Sequence, residues 1–72
     1  MAYTYTYINE LNQFGYTSYT LVLTDSDGIM PEIRNDKYFS QSKFPNLNQS
    51  DLDSEAQKDI NYYTQVYLDE NS

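Results

Sequence analysis

Residues 16–24, YTSYTLVLT, alternate along the chain, with Tyr19, Leu21 and Leu23 on one side of an extended backbone and Ser18, Thr20, Val22 and Thr24 on the other. The segment is rich in β-branched and aromatic types, so it reads as a half-buried strand. Residues 25–28, Asp-Ser-Asp-Gly, supply side-chain acceptors and end in the residue that tolerates positive φ; the chain should reverse there and residues 29–34 should return. A turn at Ser26 and Asp27, with Gly28 left-handed, sets Leu21 opposite Ile33 and Leu23 opposite Pro31 and gathers apolar residues on one face. A two-residue turn at Asp27 and Gly28 would set Leu23 against Glu32. Pro31 has no N–H to donate, so the returning strand is expected at a sheet edge, or starting only at Pro31 after a wider turn.

Residues 2–8 alternate Tyr3, Tyr5 and Tyr7 against Thr4, Thr6 and Ile8, a strand whose tyrosines are expected to point inward with their hydroxyls at the rim. Residues 9–15 fit either one or two helical turns, with Leu11 and Phe14 against the sheet and Gly15 closing them, or a long hairpin loop. Either lets the first strand pair antiparallel with residues 16–24 and makes that strand central.

Residues 50–68 carry a helix signature. Ser50 with Asp53 three positions on forms a capping pattern, and Asp51, Asp53 and Glu55 put negative charge on the first turn. Leu52, Ala56, Ile60, Tyr63 and Tyr67 recur at helical spacing as one apolar stripe. Asp59 borders that stripe and is expected to bond a tyrosine hydroxyl or pair with Arg34 or Lys58. Asp69 and Glu70 stand at the unfavourable end of the helix dipole, so the last residues are expected to fray. The pattern predicts an α+β fold in a single domain over 1–72: a small antiparallel three-stranded sheet with one C-terminal helix packed across one face.

Residues 35–49, NDKYFSQSKFPNLNQ, show no period, and a connection this long exceeds the usual ~4–6 residues. In one account Phe39, Phe44 and Leu47 plug the base of the core, Lys37 and Lys43 are solvated, and there is room for a short fourth strand at 37–40. In the other the segment is a binding loop in which Tyr38, Phe39 and Lys43 are anchors of the kind that dominate interfaces.

Composition narrows the chemistry. The 72 residues contain no cysteine and no histidine, which removes thiolate nucleophiles, the usual zinc sites, serine–histidine catalysis and any histidine switch. Asp25-x-Asp27-Gly28 has the centre of a calcium loop, but Leu23 and Arg34 stand where that loop needs its first carboxylate and its bidentate Glu. Gly15 and Gly28 are the only glycines, too few for a phosphate-cradling loop. The expectation is a non-enzymatic chain without cofactor or metal.

Eleven acidic residues against Arg34, Lys37, Lys43 and Lys58 give a net charge of −7, which disfavours direct contact with nucleic acid or an anionic membrane and favours a basic protein surface. No basic, apolar leader opens the sequence, so a cytoplasmic protein is expected.

Two functions follow. The first is an adaptor or inhibitor docking on a partner through Tyr38, Phe39, Lys43, Asp51, Asp53 and Glu55. The second is an assembly subunit, a homo-oligomer joined through Tyr-rich strand edges. In length, acidity and richness in Asn, Tyr and Thr the chain resembles accessory proteins encoded by tailed phages, a resemblance of composition alone that would place it in a host cytoplasm.

Overall fold

The computed structural model describes residues 1–72 and contains three strands and one helix: β1 (Tyr3–Gln13), β2 (Tyr16–Asp25), β3 (Ile33–Ser40) and α1 (Gln49–Glu70). The strands form one antiparallel sheet in the order β1-β2-β3, with α1 across one face. This is the α+β arrangement that the alternation of residues 16–24 and the stripe of the helix imply, with β2 central and the strand after Pro31 at an edge.

Tyr3, Tyr5 and Tyr7 point toward the helix, and their hydroxyls reach its rim. Tyr3 donates to the carbonyl of Pro31 at 2.5 Å, Tyr5 to Asp53 at 3.0 Å and Tyr7 to the carbonyl of Leu52 at 2.8 Å. Each ring thus fills core volume while its polar tip keeps a partner. Leu21, Leu23 and Ala56 are completely buried at the centre, with Tyr3 and Met30 beside them and Ile33, Ile60, Tyr63 and Tyr67 closing the margin. Burial of a leucine side chain stabilises the fold by about 1.5–3 kcal/mol, so Leu21 and Leu23 are major contributors in so small a domain. Toward the other end the core becomes aromatic: Tyr7, Tyr19, Phe39 and Phe44 meet edge to face.

Several local expectations are corrected. Residues 9–15 are neither helix nor loop: β1 runs on to Gln13, and a bulge between Ile8 and Leu11 shifts its register. Phe14 and Gly15, both at positive φ (52° and 77°), form a tight turn that hands the chain to β2 at Tyr16. The 25–28 turn is wider than either register allowed. Asp25 accepts from the backbone N–H groups of Asp27 and Met30, and its carbonyl accepts from Gly28, so the connection continues through Pro31 and pairing starts with Leu23 opposite Ile33. Leu21 faces Asn35, not Ile33; the slip is by two residues, so every side chain keeps its face.

Residues 35–40 belong to the third strand itself, not to an irregular loop or a fourth strand, and Phe39 is 3% exposed. The helix starts earlier than the Ser50 pattern implied. Asn48 is its cap, accepting from the N–H of Asp51, while the Asp51 carboxylate accepts from the N–H of Asn48. At the other end α1 continues to Glu70, where Asn71 donates from backbone and side chain to the carbonyl of Tyr67 and holds the last turn.

Candidate functional site

The bulge after Ile8 decides what lies at the far end of the molecule. Asn9 adopts φ 57° and the alternation resets, so Leu11 turns to the sheet face opposite the helix. There it pairs with Ser18, and Ser18 pairs on its other side with Tyr38. The result is a row of large, small, large. Together with Gln13, Phe14 and Tyr16 these residues line a shallow depression at the tip of the β1–β2 hairpin, and none of the six is charged. Gln41 donates to the carbonyl of Gly15 at 2.8 Å and ties the end of β3 to the turn.

Exposure concentrates at this tip: Leu11 is 53% exposed, Tyr16 49%, Tyr38 67% and Phe14 89%. Phe14 is the sharpest case. A non-glycine residue in the left-handed region costs on the order of 1–2 kcal/mol, and an aromatic ring left in water returns nothing for it. Asn, Asp or Gly would serve the turn better. Clustered exposed apolar side chains on a small monomer mark an interaction surface more often than a folding requirement.

Of the residues singled out in the sequence, Tyr38 belongs to this depression. Phe39 does not: it alternates to the helix face and lies in the core, offering nothing to a partner. Lys43 is exposed in the turn that follows β3. The three acids lie at the helix start and each has an internal partner: Asp51 in the cap, Asp53 under the Tyr5 hydroxyl, and Glu55 with Lys58 at 3.0 Å. Leu11, Phe14 and Tyr16 escaped sequence reasoning, although an aromatic directly before Gly15, between two alternating segments, was a signal available for them.

A second polar cluster joins β3 to α1. The Asp59 carboxylate accepts from Lys37 at 2.7 Å and from Asn35 at 3.1 Å, and Asn35 also donates to the Tyr63 hydroxyl at 2.9 Å. Arg34 and Lys58, the partners expected for Asp59, instead pair with Glu32 and Glu55. This cluster is saturated and serves as a clamp between sheet and helix. Burial pushes the Tyr7 hydroxyl up to about 12, and at the 25–30 turn the N–H of Met30 holds the Asp25 carboxyl below its usual range.

No three acidic side chains come together in a group suited to a metal ion. No helix is long and apolar enough to cross a membrane. Compared with family models, with curated proteins and with solved structures, the chain finds no match.

Proposed function

We propose that this protein is a non-enzymatic binding module that engages a protein partner with the tip of its β1–β2 hairpin. The reading is carried by one observation: a phenylalanine held at positive φ and 89% exposed, beside three further exposed large side chains, where a folding requirement alone would select Asn or Gly. Phe14 and Tyr38 act as anchors in pockets of the partner, Leu11 and Tyr16 exclude water around them, and Ser18 leaves the hollow that receives a side chain in return. The chain's net charge of −7 speeds encounter with a basic partner surface without itself lining the contact. In this reading Lys43 lies outside the anchor set, as do Asp51, Asp53 and Glu55.

The test is quantitative capture from extract of the native host with the wild-type chain, Phe14→Asn, Tyr38→Ala and, as an exposed apolar control remote from the tip, Ile29→Ala. A protein retained by the wild type and the control but depleted about tenfold or more on both tip variants is the expected result. An unchanged bound set across all four would remove the hairpin tip from the function.

A further inference from the structure

The two edges of the sheet are built differently. Over its 8 residues β3 carries Arg34, Asp36 and Lys37, the charged pattern that keeps an edge from recruiting another strand. The other edge has no such protection. From Tyr3 to Asn9 strand β1 contains no charge and no proline, and its residues are tyrosine, threonine, isoleucine and asparagine. Its first charged side chain, Glu10, lies in the bulge and accepts from Tyr19.

The helix repeats the asymmetry. Asn61, Thr64 and Gln65 border the groove beside Ala2 and Tyr3, and helical spacing sets Gln57 and Leu68 on the same flank. All five are uncharged. Asp59 turns the other way, to Asn35 and Lys37 on β3, and periodicity places Glu55 and Glu70 with it. Two carboxylates border this flank and each accepts a hydrogen bond, Asp53 from the Tyr5 hydroxyl and Asp69 from the Gln65 amide at 2.9 Å. A chain with 15 charged residues in 72 therefore keeps this side, strand edge and helix flank together, poor in charge: besides Asp53 and Asp69 it holds the Met1 ammonium, which is neutralised by Asp27 at 2.6 Å.

We propose that this side is where a second copy of the chain binds, β1 pairing antiparallel with β1 about a two-fold axis perpendicular to the sheet. Two chains of charge −7 repel wherever their acids meet, so a homotypic contact is favoured on the charge-poor side found here. The bulge at Asn9 ends regular pairing and limits the ladder to residues 3–8. A two-fold through that ladder passes beside Tyr5 or Thr6; in either register tyrosines meet tyrosines on the helix face, while on the other Thr4 meets Thr6 in the first and Thr6 meets Thr6 in the second. The two helices then lie on one face of a six-stranded sheet, antiparallel, with their charge-poor flanks toward each other. The hairpin tips project from opposite ends, so pairing at β1 leaves both Phe14 anchors free and makes the assembly bivalent.

The experiment is sedimentation of the full chain from about 10 μM to about 1 mM, at low and high salt, with amide hydrogen exchange followed over the same concentrations. The expected result is a mass rising from 8.5 kDa toward twice that value, with association strengthened by salt as like-charge repulsion is screened, and with β1 amides gaining protection while β3 amides do not. Thr4→Lys/Thr6→Lys sets ammonium groups directly opposite one another in either register and should weaken the dimer at least tenfold. Thr20→Lys/Thr24→Lys, the same charge change on central β2, should not.

A monomer at every concentration would overturn the proposal, as would a dimer weakened by salt or one that the β1 variant leaves intact. Should that variant fail to fold, the wild-type exchange data still decide: concentration-dependent protection anywhere but β1 excludes this interface.

Discussion

Leu11 and Tyr38 face each other across Ser18 in a single cross-strand row on the sheet face away from the helix, so the smallest side chain of the row is walled by two large ones. That hollow exists because of the bulge after Ile8. Had β1 kept its alternation, Leu11 would point toward the helix side with Tyr7, beyond the end of the core, and the charged Glu10 would stand opposite Ser18 in its place.

Phe14→Asn should change stability and binding in opposite directions. Asn tolerates the left-handed region, so the variant is expected to gain about 0.5–1 kcal/mol in urea unfolding, with no packing lost from a ring already in water. The same substitution should remove partner retention. A loss of more than about 1 kcal/mol would mean the ring packs on the fold after all, and that its exposure gives no evidence of a partner.

Tyr38 and Phe39 are adjacent and should behave as opposites. Phe39→Ala empties a site enclosed by Tyr7, Tyr19 and Phe44 and is expected to cost about 3 kcal/mol or more, enough to unfold much of so small a domain at room temperature. Tyr38→Ala should cost under about 1 kcal/mol, since its ring is 67% exposed. Equilibrium urea titration of the two variants checks the pair, and similar losses from both would show that the strand alternation is misassigned.

How far the sequence reveals this fold depends on whether one rule governs a segment at a time. β2 and α1 were legible because their periods are uninterrupted: Leu21 and Leu23 repeat every second residue, and Ala56, Ile60, Tyr63 and Tyr67 follow the helical turn. β3 was hidden because its inward positions are Ile33, Asn35, Lys37 and Phe39, and the middle two are polar. Such residues are tolerated there only because Asp59 and Tyr63 on the distant helix receive their hydrogen bonds. The second half of β1 was hidden for two reasons, the bulge that moves Leu11 to the other face and a turn built on Phe14 where the usual signal is Asn-Gly. The site was missed with them, since two of its exposed side chains, Leu11 and Phe14, lie in those irregularities.

Lys37 and Asp59 test the clamp between β3 and α1. Their side chains are 22% and 15% exposed, between the limits of a surface pair and a buried one. Lys37→Ala should cost about 1–2 kcal/mol by leaving the carboxylate with Asn35 as its remaining partner. Lys37→Met/Asp59→Leu, which removes both charges and keeps their volume, should recover most of that loss, and a double-mutant cycle on unfolding free energies measures the coupling. Additive losses would mean that the two groups do not act as a pair.

Asp25 predicts the acid limit of the fold. Its carboxylate is held low first by the N–H of Met30 and then by that of Asp27, while burial opposes them, and the net result lies below the ordinary value of 3.8. A carboxyl lowered in the folded state binds its proton more readily when unfolded, so its contribution is complete above 3.8 and disappears as pH falls through the lower, folded value. At the alkaline end the sign reverses: Tyr7, raised to about 12 by burial, supports the fold below its ordinary value of 10.0 and stops doing so as pH climbs toward 12. Melting temperatures between about pH 2 and 6 should therefore fall more steeply for the wild type than for Asp25→Asn, which cannot titrate and starts from a lower plateau because one acceptor oxygen has become a donor. Parallel acid slopes for the two proteins would show that the 25–30 turn is held by its backbone bonds and not by the ionised carboxylate.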